Sequence, residues 1–227
     1  MKQEILNFNF QFKSKEFFVS EKNFFAYDFI KRWPNWNNQL AFIYGPEKCG
    51  KTSISEMWKK NSKAIYVSGK SFNRLIPDEL DIDYIKMNNW ILEDIDQIIK
   101  KKEQYNTSKI LNLINIIKEN SKSFILITSK KAPKYLGCKL DDLTSRLSSS
   151  IVLEVRDPDE ELLRKIIHKY LNDRNIVISN KHLKYLSERI ERSYESALKI
   201  AKKIDFKSLE TKSKISMSFL RSVYNKN

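Results

Sequence analysis

Eight residues have the spacing G-x-x-x-x-G-K-T and directly follow an apolar run at 40–44. They are Gly45, Pro46, Glu47, Lys48, Cys49, Gly50, Lys51 and Thr52, and Ser53 comes next. The pattern is typical of a loop between a buried strand and a helix, where backbone N–H groups surround phosphate oxygens. In such loops the lysine reaches the terminal phosphates and the threonine hydroxyl binds Mg²⁺. The loop predicts a site for the phosphates of a nucleotide, such as ADP or ATP, with Mg²⁺.

An ordinary turn between a strand and a helix is the alternative interpretation of these residues. The chain has four glycines in 227 residues, and Gly45 and Gly50 are two of them. Because glycine permits the backbone to curl tightly, their placement at both ends of the loop favours the phosphate site over an ordinary turn.

A second group of polar residues follows the apolar run at 90–92. Glu93 and Asp94 come first, with Asp96 close behind. If the run is a parallel strand, its carboxyl end meets the loop, so that Glu93 helps Thr52 to hold the metal and Asp94 orients the attacking water. An apolar run that ends in acids is also a common way for a strand to leave a sheet. Together with the loop, however, the acids indicate a nucleotide site.

The apolar run at 124–128 ends in Thr128, whose hydroxyl we expect to face the γ-phosphate. This run is one of five that alternate with helical patterns, at 40–44, 64–67, 90–92, 124–128 and 151–155. The alternation predicts an α/β fold with a parallel five-stranded sheet. One strand lies between the loop and the acidic run, and this order favours the ATPase branch of phosphate-loop proteins over the nucleotide kinases.

After residue 157 the strand pattern stops. Amphipathic helices are expected at 160–171, 180–190, 194–204 and 216–223. The sequence therefore predicts an α/β nucleotide-binding domain over residues 13–157 and a small all-helical lid domain over residues 158–227. Residues 1–12 are expected to form a separate N-terminal peptide.

The formal net charge of +14 fits either a polyanionic partner or lysine-rich solvated faces. Lysines are spread along the whole chain, which favours the second interpretation. The two histidines and two cysteines have no spacing typical of a metal site or of a disulfide framework. No apolar stretch suits a signal peptide or reaches the ~20 residues of a membrane span, so a cytoplasmic protein with no membrane partner is expected.

The order of these elements resembles that of the DnaA family of AAA+ proteins, and within it the Hda-type regulators, the HdaA group. The similar segments are 16–23 (EFFVSEKN), 32–36 (RWPNW), 93–96 (EDID), 143–147 (LTSRL), 172–174 (NDR) and 189–193 (RIERS). The resemblance covers nearly the whole chain. It implies an AAA+ P-loop NTPase core followed by a lid.

The resemblance also implies roles for individual residues. Phe18, Val19 and Asn23 match the segment beside the adenine. Arg146 matches the arginine finger, which acts on the nucleotide of a neighbouring subunit, and Arg192 matches the second sensor, which folds back onto the phosphates. Two residue types depart from the initiators, since Lys130 replaces an acidic sensor and Glu93 replaces aspartate. Weak or no intrinsic ATP hydrolysis is therefore expected.

Gln3, Leu6 and Phe8 form the pattern Q-x-x-L-x-F. It resembles the short peptide by which Hda-type proteins dock on the replicative sliding clamp. In such a peptide the glutamine amide fixes the register and the two apolar side chains fill a pocket. A simple edge strand or a disordered tail would have the same pattern.

The resemblance implies a regulator of replication initiation that docks on the DNA-loaded clamp and stimulates hydrolysis of ATP bound to the initiator DnaA. DNA contact is then indirect, and homo-oligomer formation stays open. Too few residues follow the lid for the initiator's helix-turn-helix domain, so sequence-specific origin binding is not expected. Two alternatives remain: a helicase-loader or initiator-like AAA+ ATPase that binds single-stranded DNA, and an adaptor that nucleotide merely stabilises.

Overall fold

A five-stranded parallel sheet organises the first part of the chain in the computed structural model, which describes residues 17–76, 81–101, 103–119, 122–211 and 214–224. The strands are β1 Leu40–Tyr44, β2 Ile65–Val67, β3 Trp90–Leu92, β4 Ile125–Ser129 and β5 Ile151–Glu154, in the order β2-β3-β4-β1-β5. Neighbouring strands are parallel throughout. The predicted α/β fold is confirmed, and each strand lies within one residue of its expected bounds.

Helices cover both faces of the sheet and are the regular elements that follow β5 in the described residues. In the α/β part they are α1 Phe24–Lys31, α2 Lys51–Ser62, α3 Phe72–Leu75, α4 Ile82–Met87, α5 Ile95–Lys101, α6 Glu103–Lys118, a short 3-10 helix at Pro133–Tyr135, and α7 Asp141–Ser148. After β5 come α8 Glu160–Asn172, α9 Asn180–Ser187, α10 Tyr194–Thr211 and α11 Met217–Tyr224.

Two of these late helices differ in length from the expectation. Helix α9 ends at Ser187 instead of residue 190, and a turn follows in which the N–H of Ser193 donates to the carbonyl of Glu191 at 2.7 Å. Helix α10 continues to Thr211 instead of ending at 204. Residues 205–211 contain no glycine or proline, so nothing in the local sequence interrupts this helix.

Strand β1 is buried on both faces because alternate side chains enter different cores. Leu40 and Phe42 pack among the helices on one face, together with residues of α4 to α7. Ala41 and Ile43 pack on the other face, against α1 and α2. This period of two is the pattern expected of a central strand. The parallel pairing of β1 with β4 and β5 brings the carboxyl ends of the three strands to the same side of the sheet.

An aromatic cluster supports α2 from the side of α1. Trp36 stacks on Trp58 with ring centroids 5.0 Å apart, and its indole N–H donates to the carbonyl of Phe29 at 2.9 Å. Trp58 lies on α2 and is fully buried. The helix that begins at Lys51 is thereby held against the sheet.

Helices α8 to α11 enclose a hydrophobic core of their own, to which Leu163, Ile167, Leu186 and Ile204 contribute fully buried side chains. The carboxylate of Asp159 caps the start of α8 by accepting the N–H of Leu162 at 2.8 Å. This helical unit follows β5, and its division from the α/β part as a separate domain stays a prediction. No helix within the described ranges combines the length and the apolar composition that crossing a membrane requires.

Candidate functional site

The loop at 45–50 joins the carboxyl end of β1 to the amino end of α2. At Gly45 a Cβ atom would lie only 1.9 Å from the carbonyl oxygen of Val155, so no other residue fits there without a shift of the backbone. Gly50 has a φ of 108°, in the region that favours glycine. Both glycines of the motif are thus required by the path of the loop.

Lys51 is the first residue of α2, and its side chain is buried, with 6% of the residue exposed. Its ammonium group donates to the carbonyl oxygens of Gly45 at 2.8 Å and of Pro46 at 2.6 Å. A buried cation needs such partners, since water no longer solvates it. The loop therefore already curls around a positive charge in the structure.

Thr52 and Glu93 meet although they are far apart in the sequence. The Thr52 hydroxyl donates to one Glu93 carboxylate oxygen at 2.6 Å, and the Ser55 hydroxyl donates to the other at 3.1 Å. The meeting follows from the parallel sheet, because Glu93 directly follows β3 on the side of the sheet where the strands have their carboxyl ends and β1 leads into the loop. Ser55 was not expected from the sequence, although its position three residues after Thr52 places it on the same face of α2.

Asp94 begins the turn after β3 with a φ of 51°. Its backbone N–H donates to the hydroxyl of Thr128 at 3.0 Å, so the end of β4 holds this turn in place. Thr128 is fully buried beside Glu93 and Asp94. Asp96 instead accepts hydrogen bonds from Ser129 and from the backbone of Lys130, which ties it to β4.

A cavity of about 520 Å³ opens beside the loop and the acidic turn. Among the residues that line it are Lys51, Thr52, Ser53, Asp94 and Lys130, and from the helical unit Tyr194, Glu195 and Leu198. The cavity thus lies between the α/β part and α10. Its volume falls within the range of small-molecule sites, roughly 300–1,000 Å³.

Two ion pairs cross this cavity at its rim. Glu47 of the loop pairs with Lys130 at the end of β4, and Lys48 pairs with Glu195 of α10 at 3.2 Å. Both pairs are largely exposed, so each contributes little to stability. The hydrogen bond and charge of Lys130 lower the pKa of Glu47, and those of Glu195 raise the pKa of Lys48.

Of the remaining loop residues, Pro46 is exposed at the surface and Cys49 is fully buried. Burial raises the pKa of the Cys49 thiol, which keeps it protonated and inert. Lys51 donates weakly to the Cys49 sulfur at 3.8 Å. Cys49 therefore fills space beneath the loop.

The segment expected beside the adenine is organised around Asn23. The Asn23 amide donates to the carbonyl of Phe18 at 2.9 Å and to the Tyr194 hydroxyl at 2.8 Å, and Val19 is partly buried beside it. The Tyr194 ring lies above Gly50, where an added Cβ would meet it at 3.3 Å. Tyr194 was not expected from sequence, although it lies directly after the segment 189–193.

The two arginines assigned by resemblance lie outside this cavity. Arg192 is exposed, and its guanidinium contacts a carboxylate oxygen of Glu160 at 3.4 Å. Arg146 is exposed on α7. The structure thus brings together the loop, Glu93, Asp94, Thr128 and Asn23, and places neither arginine with them.

The expected partner peptide at Gln3, Leu6 and Phe8 lies outside the described residues. The assignment of these three side chains stays a prediction.

The donor set fits a nucleotide with Mg²⁺. Hydroxyl and carboxylate oxygens are the ligands that Mg²⁺ prefers, and Thr52 and Glu93 present one of each at one point. The start of α2 supplies N–H groups and a positive dipole for phosphate, and Lys51 supplies a full charge.

Burial raises the pKa of the Glu93 carboxyl above its ordinary 4.5, and the hydrogen bonds from Thr52 and Ser55 oppose this only in part. Burial, followed by the charge of Asp96, likewise raises the pKa of Asp94. A buried carboxylate with a raised pKa destabilises the folded chain once it ionises.

Replacement of Glu93 by glutamine is expected to remove a pH-dependent loss of stability. Because the folded pKa is the higher one, the free energy of unfolding of the wild type declines as pH rises from 4.5 through the folded value. Each tenfold difference between the proton affinities of Glu93 in the folded and in the unfolded chain corresponds to about 1.4 kcal/mol in the free energy of unfolding. Denaturant titrations at several pH values, without nucleotide or Mg²⁺, measure this decline.

Glu56→Gln, on the exposed side of the same helix α2, is the matched control. The stability advantage of Glu93→Gln over the wild type should grow with pH, and that of Glu56→Gln should not. An advantage of Glu93→Gln that is constant across the pH range would contradict this account of Glu93.

No family model matches the chain. Among curated proteins, the chromosomal replication initiator protein DnaA of Buchnera aphidicola (subspecies Cinara cedri) is 25% identical over 216 residues, which are 88% of this chain and 48% of that protein. An uncharacterized protein of Haemophilus influenzae is 23% identical over 219 residues, 92% of each chain. The chain thus spans about half the length of the initiator and nearly all of the second protein.

Solved structures show the same fold. Domain III of DnaA from Thermotoga maritima superimposes with a TM-score of 0.74 at 22% identity, covering 91% of this chain and 92% of that one. AMPPCP-bound DnaA from Aquifex aeolicus superimposes with a TM-score of 0.74 at 23% identity, covering 86% of this chain and 65% of that one. A replication initiator DnaA bound to AMPPCP and single-stranded DNA superimposes with a TM-score of 0.72 at 24% identity, covering 86% of this chain and 66% of that one. The chain therefore has the fold of domain III of DnaA, and 88% of the chain is similar in sequence to about half of a DnaA protein.

Proposed function

We propose that this chain is a cytoplasmic, adenine-nucleotide-binding AAA+ regulator of replication initiation, which docks on the replicative sliding clamp and stimulates hydrolysis of DnaA-bound ATP. The observation that carries the nucleotide part is the meeting of Lys51, Thr52 and Glu93 at one edge of the sheet. The likeness to DnaA supports the link to replication. The Hda-type segments in the sequence support the regulatory role.

In this proposal ADP or ATP occupies the cavity beside the loop. Lys51 exchanges the carbonyls of Gly45 and Pro46 for phosphate oxygens, and Thr52 and Glu93 hold Mg²⁺. When bound, the metal ion neutralises phosphate charge. Phe18, Val19 and Asn23 border the adenine, and Tyr194 joins them because it already contacts Asn23 and Phe18.

Arg192 reaches the phosphates in this proposal by leaving Glu160. The pair is a single contact of 3.4 Å between exposed groups, so its loss costs little, within the ~0–1 kcal/mol typical of surface pairs. Asp94 orients water if the chain hydrolyses ATP itself. Intrinsic hydrolysis is weak in the proposal, because the cation Lys130 stands beside the cavity where the initiators carry an acidic residue.

The test is a reconstitution with ATP-bound DnaA, DNA-loaded clamp and this chain. The fraction of DnaA-bound nucleotide that is ADP is followed over time, with and without the chain and with and without the clamp. Faster conversion that needs both the chain and the loaded clamp is expected. Conversion at the same rate without the chain would refute the regulatory role.

Clamp docking is expected to depend on Leu6 and Phe8. Alanine at both positions should remove anchors that are typically worth ~2 kcal/mol or more each at the centre of an interface. Clamp affinity measured by surface plasmon resonance should therefore fall roughly 700-fold, since about 4 kcal/mol is lost and about 1.4 kcal/mol corresponds to a tenfold change, whereas nucleotide affinity stays unchanged.

A double variant of Ile5 and Phe10 to alanine is the matched control, since it removes similar apolar groups outside the motif positions. It should keep most of the clamp affinity. If a chain that lacks residues 1–10 bound the clamp as tightly as the full chain, the docking peptide would lie elsewhere.

A helicase-loader or initiator-like ATPase that binds single-stranded DNA is the second candidate. It is favoured by the net charge of +14 and by the likeness to a DnaA structure bound to single-stranded DNA. Salt-sensitive DNA binding in the absence of any clamp binding would support this candidate over the regulator.

A further inference from the structure

Two aromatic side chains at the start of α1 are exposed next to each other. Phe24 is 48% exposed and Phe25 is 72% exposed, and their rings meet edge to face with centroids 5.7 Å apart. The buried residues of α1 are Ala26 and Ile30, so the two rings occupy a part of the helix surface where polar side chains are usual. Adjoining exposed apolar groups of this kind mark a contact surface more often than single ones do. We call Phe24 and Phe25 the α1 aromatic pair.

The chain that precedes the described residues joins them close to this pair. Phe17, the first described residue, stacks on Tyr27 of α1 with ring centroids 5.6 Å apart and ring planes 5° apart. Tyr27 follows Phe24 by three residues, so the two lie on adjacent turns of the same helix face. Five residue steps connect residue 12 to residue 17, and an extended chain of that length spans at most about 18 Å. Residues just before position 13 can therefore reach the α1 aromatic pair.

The composition of residues 5–12 is unlike that of a solvated tail. Solvated tails contain few aromatic residues and many charges. Here no residue is charged, and none is proline or glycine. Five of the eight are large and apolar: Ile5, Leu6, Phe8, Phe10 and Phe12. An uncharged apolar stretch of this kind promotes aggregation when it is exposed, so a surface that covers it is expected.

The order of these residues predicts the form in which the segment is covered. From residue 6 to residue 12, apolar side chains alternate with Asn7, Asn9 and Gln11. A period of two is typical of an extended segment with one apolar face and one polar face. Such a segment can cover aromatic rings with one face while its amides stay in water.

We propose that residues 5–12 dock in extended form on the α1 aromatic pair of their own chain, with Phe10 and Phe12 against Phe24 and Phe25. Leu6 and Phe8 belong to the same apolar face, so docking also covers the residues assigned to the clamp. The docked segment is then an autoinhibitory contact, which the clamp must displace. This second step rests on the proposed clamp role, whereas the docking itself does not.

The same segment of a second chain is the competing occupant of the aromatic pair. The chain's own segment is favoured because it is tethered only a few residues from the pair. A short tether gives an effective concentration in the millimolar range, above the concentration of free chains in solution. Docking within one chain should therefore not depend on protein concentration.

The experiment measures a distance between two spin labels in the full chain by double electron–electron resonance. The labels are attached through Asn9→Cys, on the polar face of the segment, and Lys60→Cys, on the exposed side of α2. The background carries Cys138→Ser, and Cys49 is buried. A narrow distance distribution is expected. Both Phe24→Ser/Phe25→Ser and Phe10→Ser/Phe12→Ser should broaden it, by roughly the 15 Å over which a free chain of eight residues extends.

Val177→Ser/Leu209→Ser is the matched control, because it removes two apolar side chains that are 90% and 72% exposed in the helical unit. It should leave the distribution narrow, as should an excess of unlabelled chain. A broad distribution without the serine substitutions, or one that Phe24→Ser/Phe25→Ser does not broaden, would overturn the docking. Loss of the narrow distance on addition of unlabelled chain would overturn it in favour of docking between two copies. Circular dichroism melts confirm that each variant is folded.

Clamp affinity measured by surface plasmon resonance tests the autoinhibitory step. Because the apparent affinity scales with the fraction of chains whose segment is free, Phe24→Ser/Phe25→Ser should bind the clamp about threefold or more tightly than the wild type. Equal affinity of the two proteins would overturn the autoinhibition. If neither protein bound the clamp, the proposed clamp role would fail and the autoinhibition with it, while the distance measurement would still decide the docking.

Discussion

Replacing Lys51 with alanine is expected to abolish adenine-nucleotide binding. The Lys51 ammonium is buried at the centre of the loop, 2.8 Å from the Gly45 carbonyl oxygen and 2.6 Å from that of Pro46, so the substitution removes a positive charge from the place where phosphates would enter. For the wild type, ADP or ATP at ~100 times its dissociation constant should add about 2.7 kcal/mol to the free energy of unfolding. The variant should show no such gain, as measured by melting with and without nucleotide and Mg²⁺.

Lys48→Ala is the matched control for this prediction. Lys48 belongs to the same loop, but it is exposed and pairs with Glu195 at the rim of the cavity. Its removal should leave most of the stabilisation by nucleotide in place. Equal stabilisation of the wild type and of Lys51→Ala would show that nucleotide binds elsewhere or that this loop does not hold phosphate.

The elements of the α/β part could be predicted from sequence because local signals agree with the tertiary fold. The run Leu40–Tyr44 is apolar at every position, as a strand buried on both faces requires. Gly45 and Gly50 mark the loop because only glycine fits the backbone there. The meeting of Thr52 and Glu93 then follows from topology, since parallel strands end at the same edge of the sheet.

Side-chain partners formed by tertiary packing could not be predicted in this way. Arg192, in the turn between α9 and α10, contacts Glu160, which lies 32 positions away at the start of α8. The helical pattern of the sequence predicts that Tyr194 begins a helix. It gives no sign that the Tyr194 hydroxyl accepts a hydrogen bond from the amide of Asn23, 171 positions away. The first contact depends on packing within the helical unit and the second on packing of that unit against the α/β part, and no short spacing in the chain encodes either.

The lengths of α9 and α10 illustrate a related limit. Hydrophobic periodicity indicates which face of a helix is buried. It cannot indicate where the helix ends when the last residues are exposed, as Leu209 is near the end of α10.

Substitution of Arg146 is expected to abolish the stimulation of ATP hydrolysis by DnaA without unfolding the chain. The residue is exposed on α7, and that helix is held by the buried side chains of Leu143 and Leu147. No carboxylate within the described residues pairs with its guanidinium. Burial, and after it the nearby charge of Arg146, lower the pKa of Lys118. An unpaired, exposed arginine is available to a partner's nucleotide.

An arginine supplied across an interface stabilises the charge that spreads over the transferring phosphoryl group, an effect worth about 10³–10⁵ in rate in other systems. The planar guanidinium fork cannot be replaced by a lysine point charge without loss. Both Arg146→Ala and Arg146→Lys should therefore keep nucleotide binding and the clamp contact, yet fail to speed the conversion of DnaA-bound ATP. The ADP fraction on DnaA over time, in the presence of loaded clamp, is the measurement.

Arg74→Ala, which removes another exposed arginine of the α/β part from α3, is the control and should stimulate DnaA as well as the wild type. Comparison with the variant Arg192→Ala distinguishes the role of Arg192 from that of Arg146. In the proposal Arg192 acts on the chain's own nucleotide, so its loss should weaken nucleotide binding, which the loss of Arg146 should not do. If Arg146→Ala stimulates DnaA as fully as the wild type, Arg146 has no role across the interface and another side chain must supply the positive charge.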